Sequence, residues 1–549
     1  MLLKKLYITF FWIVIAASVF PQNQSNKNSS LIFGENYRIY PSSVTQTEVF
    51  IVKSPVDENV LFSSCNTLTI NPFFVSEGIY VTTNGGNSWQ GSDTCKGEYI
   101  IFHYGDPGIT IDKNGRFILT RLGQSPFLGL FSHFSTNNGQ TWSNQNAIST
   151  DDLERASTTS DVIGTSPFYG RTYTTWVKFS NPSSVWFAFM DDGAQNWSSP
   201  QQINNPSLES RSAGGDITTG PNGEVYVCWA GLTSTSPFKE ILVGFASSSN
   251  GGANWNVTEN AFEVNGITGL LTNKGNIRVN GLPSIVVDTT NGTRRGWIYI
   301  VTGQKNLAPA GSDPDIILNR STDGGQSWSP AIRVNQDAVN NGKTQYFPNV
   351  HIDKFGAVNV IFYDDRNTTN DSSGVFLARS TDGGDSWSEF EISDHNYKPE
   401  PIGGLGQGYQ GDNIDITSTS SKLWPVWMDN STGTYQIWTT PINFSTVDVE
   451  DVYAPPSSFK LEQNYPNPFN PSTTIGFQIS EPGFVSLKVF DVVGNEIAVL
   501  MDESKSTGYY KVEFNASNLI NNNSLNSGIY FYRLMINEVS ETKAMILLK

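Results

Sequence analysis

The sequence predicts an all-β chain: a β-propeller of six or seven blades, seven favoured, followed by a small antiparallel β-sandwich. Three observations carry this expectation. An eight-residue turn ending in tryptophan recurs six times through the middle of the chain. A second repeat precedes it, two runs rich in β-formers separated by a turn. Finally, only 15% of the 549 residues are charged while 12% are aromatic, with 14 Trp and 49 Gly. That balance suits short strands and many turns, and suits neither helices nor disorder.

The turn copies are Thr82–Trp89, Ser135–Trp142, a degenerate Met190–Trp197, Ser248–Trp255, Ser321–Trp328 and Ser380–Trp387. Each fits a hairpin connection. The Asn or Asp at the third place can accept hydrogen bonds from the turn backbone, and the glycines supply positive φ. The tryptophan brings a large apolar surface to cover the hairpin. The pattern, Ser-x-Asp-x-Gly-x-x-Trp, resembles the Asp box (BNR repeat) of sialidases and related propeller proteins. The resemblance implies a structural role for the turns, on the face away from the active site.

The paired runs are clearest at Ile109–Leu119, Asp216–Trp229, Ile285–Val301 and Val350–Tyr363. Less regular copies stand at Val49–Ser63, Val162–Trp176 and Ile414–Trp427. Together they give seven units spaced roughly 50–70 residues apart, the length of a four-stranded blade. The last, Gln410–Phe444, has no tryptophan turn. Sialidases have six blades, so six is the alternative count if one unit is an insertion.

The ends of the chain speak to its location. Met1–Phe20 has Lys4 and Lys5, an apolar run Leu6–Ile15 and small residues after it, the pattern of a secretory signal peptide. The run is too short to span a bilayer, which takes about 20 residues, and the expected mature chain has no transmembrane segment. After an acidic, proline-containing stretch, Leu461–Ile475 carries Tyr465, Pro466, Asn467, Pro468, Phe469, Asn470 and Pro471 in succession. With Gly528–Tyr532 and Lys543–Lys549 it resembles a type IX secretion sorting domain of type A. The resemblance implies a translocon partner and a place on the cell surface or outside the cell. Alternating apolar residues around Phe484–Phe490 and Ile529–Leu534 predict an immunoglobulin-like sandwich there. The expected division is 1–20 signal peptide, 35–445 propeller, 446–458 linker and 459–549 sorting domain.

A net charge of −17 excludes nucleic acid as a partner, which requires basic patches. Of three cysteines, Cys65 and Cys95 both sit in loop-like sequence of the first repeat and could pair in an oxidising compartment or stay free. Cys228, inside the apolar run Val225–Trp229, reads as a buried thiol. Protease motifs of the Gly-x-Ser-x-Gly and His-Glu-x-x-His kinds are absent from the sequence.

A propeller gathers the entrances of its inner strands around one axis, so chemistry belongs just ahead of those strands. Arg155, Arg211 and Arg278 stand at near-equivalent offsets there, and three guanidiniums would form a strong carboxylate site. Equally, they could pair with neighbouring acids such as Asp161 and Asp216. Arg38, in Tyr37-Arg38-Ile39-Tyr40-Pro41, is similar to a sialidase arginine segment interrupted by a tyrosine. It gives a second version of the triad, or simply lies on a strand closing the ring. The sialidase resemblance further implies a tyrosine nucleophile activated by a glutamate, and an aspartate acid/base; Tyr409 or Tyr346 and Asp106 are the candidates. Asp106, Asp161, Asp216 and Asp412 recur in four units and could hold a structural calcium or, more simply, cap strand amides. No cofactor is otherwise called for. The segment Tyr363–Arg366 is expected on the face of the tryptophan turns. Two functions remain open: a secreted or surface-attached glycoside hydrolase acting on sialylated or other acidic glycans, or a non-catalytic propeller binding glycan or protein.

Overall fold

A computed structural model describes residues 31–95, 102–125, 127–193, 195–207, 210–369, 371–445, 460–479, 483–505, 508–517, 525–536 and 539–549. The expected signal peptide and linker lie outside the described residues. The chain divides into two compact units, one within Ser30–Ser445 and one within Thr446–Lys549. Every regular element among the described residues is a strand.

The larger unit is a ring of antiparallel meanders. Six four-stranded sheets follow the chain, opening with the strands Thr45–Lys53, Phe102–Ile111, Leu153–Ser160, Ser210–Thr219, Ser284–Val287 and Gln345–Ile352. A six-stranded sheet then opens with Asp415–Ser418. Each opening strand packs on the next, and Asp415–Ser418 returns to Thr45–Lys53. In the last sheet the outer strand of the meander is Tyr37–Arg38 from the chain's start, paired with Trp438 and Thr439. Leu31–Phe33 adds to Ile442–Phe444 in the same sheet. This pairing joins the two ends of the ring and removes an open edge.

The tryptophan turns bind neighbouring sheets rather than covering their own hairpins. In the fifth sheet Ser321 Oγ accepts from the Gly325 amide at 2.8 Å, and Asp323 Oδ1 accepts from the Ser327 amide at 2.9 Å. Gly325 has a φ of 89°, and a Cβ there would lie 2.1 Å from Phe245 of the preceding sheet. Trp328 then stacks edge-on against that Phe245 at 5.2 Å. Trp255 does the same to Phe187, and Trp142 packs on Phe62. In the first sheet, Gly86 and Trp89 meet Trp424 and Tyr37 of the last. Met190 replaces the first hydroxyl in the degenerate copy, yet Trp197 still crosses over to donate to Ser132 Oγ at 2.8 Å. The sheet without such a turn uses Phe33 on Phe390 and Phe444 on Phe355 instead.

Three expectations need correction. The third inner pair does not begin at Val162; its strands are Leu153–Ser160 and Thr172–Lys178, and Val162 lies between them. Polar residues such as Ser157 and Thr159 concealed that strand. Tyr363–Arg366 lies at the end of the ring opposite the tryptophan turns, because Asp364 pairs with Gln345 at the start of the opening strand while Ser380 pairs with Val358. Cys65, expected in a loop, sits within the strand Leu61–Ile70, and all three cysteines are buried free thiols.

The smaller unit has two antiparallel sheets. One joins Lys460–Leu461, Ser472–Ile479 and Gly508–Asn515; the other joins Gly483–Phe490, Glu496–Lys505, Gly528–Ile536 and Val539–Leu547. Both bury residues in one apolar core, including Ile475, Phe477, Leu487 and Tyr532. The proline-rich opening is held by Phe469 in that core and by Tyr532, whose hydroxyl donates to Glu462 O at 2.7 Å.

Candidate active site

Five of the opening strands break register at one equivalent place, between Thr47 and Phe50, Gly105 and Gly108, Glu154 and Ser157, Ala213 and Asp216, and Tyr346 and Asn349. A bulge there inserts an extra residue and re-aims a side chain. The first residues in those breaks are Glu48, Asp106, Arg155, Gly214 and Phe347. Glu48, Asp106 and Phe347 carry φ values of 57°, 55° and 52°. Such a conformation costs a non-glycine residue of order 1–3 kcal/mol and gathers at functional sites.

Glu48, Asp106 and Arg155 line a cavity of about 570 Å³ at the end of the ring away from the tryptophan turns. Two further segments complete it. A hairpin, Gly269–Leu271 with Ile277–Val279, carries Arg278. It is anchored by Lys274, whose fully buried ammonium meets the equally buried Asp365 at 2.5 Å. The glycine-rich loop before Tyr409 fits against that hairpin: the Arg278 amide donates to Gly408 O at 2.7 Å. A Cβ on Gly408 would stand 2.5 Å from Asn276 O, so the close approach requires glycine.

Inside the cavity the Tyr409 hydroxyl lies beside the Glu48 carboxylate and receives the Asn66 amide at 3.3 Å. Glu48 in turn neighbours Asp106, which accepts from Asn66 Nδ2 at 3.3 Å. Arg278 pairs with Asp412 at 2.8 Å and lies over the Tyr409 ring at 5.5 Å. Arg155 donates to Asn413.

Burial raises the Glu48 carboxyl well above its ordinary range, and the charges of Asp106 and Asp412 add to it. Burial likewise raises Asp106 against the pull of Asn66 and Arg155. Asp412 is raised by burial, against Arg278, and Glu154 by burial together with Asp106. Tyr409 is pushed well up by burial and by the neighbouring Glu48 charge. Two neighbouring carboxyls cannot both ionise readily, so Glu48 and Asp106 each hold the other's pKa up.

Of the residues singled out in the sequence, the structure brings together Tyr409, Asp106, Arg155 and Arg278. Tyr346 is elsewhere: it is fully buried in the apolar core, its hydroxyl against Ser373 at 2.9 Å and Tyr397 at 3.3 Å. Arg211 precedes its bulge by three residues, donating to Ser183 at 3.1 Å over the Phe238 ring, and Gly214 takes the cavity position. The bulge is what breaks the apparent equivalence of the arginines. Arg38 lies on the closing strand. Asp161 stands at the far end of its strand and accepts from the Ile163 amide at 3.1 Å, whereas Asp216 accepts from the Ile285 amide of the next sheet at 3.0 Å. Among the described residues, no group of three or more His, Cys, Asp or Glu is arranged to hold a metal. Sequence reasoning missed Glu48, Asn66 and Glu154. Glu48 stands in Thr45–Lys53 where polar Thr45–Thr47 gives way to apolar Val49–Val52, and a lone acid at the edge of that run was the available signal.

The smaller unit can be placed by comparison with known families. Residues 463–548 match a secretion system C-terminal sorting domain. This segment is a type IX sorting domain. It directs the chain through the type IX secretion system to the cell surface or the extracellular space. Among the described residues no helix is long and apolar enough to cross a membrane. No curated protein sequence matches the chain.

Several solved structures resemble the ring distantly. An ulvan lyase of a polysaccharide lyase family is 10% identical over 74% of this chain and 95% of its own, with a TM-score of 0.46. The leech intramolecular trans-sialidase is 11% identical over 66% and 70%, with a TM-score of 0.40. The α-L-arabinanase of Penicillium chrysogenum is 12% identical over 64% and 98%, with a TM-score of 0.41. Likeness at this level says nothing of activity.

Proposed function

We propose that the chain is an exported seven-bladed propeller acting as a glycoside hydrolase on acidic glycans, with an immunoglobulin-like sorting domain at its end. The observation that carries this is the gathering of Tyr409, Glu48 and Asp106 beside two guanidiniums in one cavity. The arginines suit the carboxylate of an acidic sugar. Burial raises both carboxyls, Glu48 the more strongly, so the reactive form is the fraction with the proton on Asp106 and Glu48 ionised.

In the first step the Tyr409 oxygen attacks the anomeric carbon and its proton passes to Glu48. Asp106 gives its proton to the departing glycosidic oxygen. In the second, water attacks the same carbon and loses a proton to Asp106, while the tyrosyl oxygen leaves and takes its proton back from Glu48. Atoms and protons balance over the cycle, and tyrosine stands in for the carboxylate nucleophile of most glycosidases.

The test is hydrolysis of methylumbelliferyl glycosides of sialic and glucuronic acids by the full chain. Turnover by the natural chain and none by Tyr409→Phe supports the reading. Absence of turnover on every acidic glycoside, with binding retained, would favour a glycan-binding propeller instead.

A further inference from the structure

A second cleft of about 260 Å³ opens beside the main cavity, between the second and third sheets. Tyr104 and Gln124 line both, so the two adjoin as neighbouring parts of one trough. Large apolar side chains stand open along it: Tyr104 is 57% exposed, Phe179 46% and Leu128 47%. Aromatic faces left open beside a polar cavity suit the apolar faces of pyranose rings, since stacking on them removes C–H surface from water while the hydroxyls stay wet.

The charge along the trough changes. The main cavity carries Arg155 and Arg278, whereas Asp151 and Asp152 line the second cleft. Lys178 already pairs with Asp151 at 2.8 Å. A carboxylate accepts hydrogen bonds from sugar hydroxyls but repels another carboxylate. We infer that this cleft is a subsite for the neutral sugars that follow the acidic one, so that the ligand is a chain rather than a single acidic sugar. Resting on the reading above, the assignment gives Tyr104 and Phe179 the role of stacking platforms. Gln124, at the join, offers an amide that can both donate and accept.

The experiment separates the subsite from the chemistry. The neutral tetrasaccharide lacto-N-tetraose is titrated into the full chain, followed by ligand-observed NMR, for the natural protein, Tyr104→Ala/Phe179→Ala, and Tyr409→Phe. The expected result is weak binding, reduced about tenfold or more in the double variant and unchanged in Tyr409→Phe. Binding equal in all three proteins, or none to the natural chain, overturns the subsite. In parallel, an acidic sugar carried on one galactose and on the tetrasaccharide is compared by kcat/KM. Phe179 lines the second cleft alone. A rise with chain length that Phe179→Ala diminishes, with the short substrate unaffected, supports it; equal values for both lengths overturn it. Failure to cleave either substrate, with tetrasaccharide binding intact, would sink the hydrolase reading and leave the subsite standing.

Discussion

Glu48 and Asp106 occupy equivalent bulges on adjacent strands, each at positive φ, and this makes their carboxyls neighbours in one cavity. Their pairing makes activity depend on one proton held between them. Both carboxyls are raised in the folded protein, so the rate should follow a bell in pH. It falls on the acid side as the second proton arrives, and on the alkaline side as the last one leaves, with the alkaline limb above the ordinary carboxylate range. Asp106→Asn should lower kcat and abolish the alkaline limb, read from pH–rate profiles; an unchanged limb would remove Asp106 as the acid. Tyr409→Phe should lower kcat by at least about 100-fold. Its thermal unfolding should stay close to that of the natural chain, since the hydroxyl makes only long contacts at 3.3 Å with Thr47 and Asn66 besides Glu48.

Turns and hairpins give the site its framework. In the tryptophan turns of the fifth and sixth sheets, hydrogen bonds from Ser327 hold the Asp323 carboxyl down to about 2, and those from Ser386 outweigh burial to bring Asp382 to about 2. A depressed carboxylate contributes stability above its unfolded pKa of about 3.9 and loses it as pH falls toward 2. Asn84 and Asn137 fill this place in other turns, where the amide donates to Ser88 and Thr141. Asp323→Asn/Asp382→Asn should therefore lower stability at pH 5 and above, cost little near pH 2 and make acid unfolding less steep, measured by denaturation between pH 2 and 5. The hairpin bearing Arg278 depends on Lys274 and Asp365, both without exposure. Lys274→Met would leave a buried charge unpaired, a loss of about 3–5 kcal/mol. Chemical denaturation at pH 7 checks it, and a raised KM for an acidic glycoside should accompany the loss.

Across the ring, the chain's start pairs with its last sheet through Leu31–Phe33 and Tyr37–Arg38. Asp415 adds a clasp, accepting the Ile51 amide of the first sheet at 2.9 Å. Deleting residues 31–38 should open an edge on the last sheet and lower the midpoint of thermal unfolding by at least about 5 °C, read by calorimetry. A midpoint unchanged by the deletion would show that packing between sheets closes the ring without that strand.

How much of this was legible is clear from particular residues. Trp142, Trp255 and Trp328 announced repeated hairpins because turn chemistry is local and its residue types are few. Tyr465–Pro471 announced the sorting domain for the same reason. Tyr409, Asp106, Arg155 and Arg278 could be named from strand entrances, while Glu48 could not, and Arg211 and Tyr346 looked like their equals. Local composition thus specified the strands, the turns and the export tail. The ring closure decided which side chains meet, because a one-residue bulge turns a side chain from sheet to axis without leaving any mark on the hydrophobic pattern.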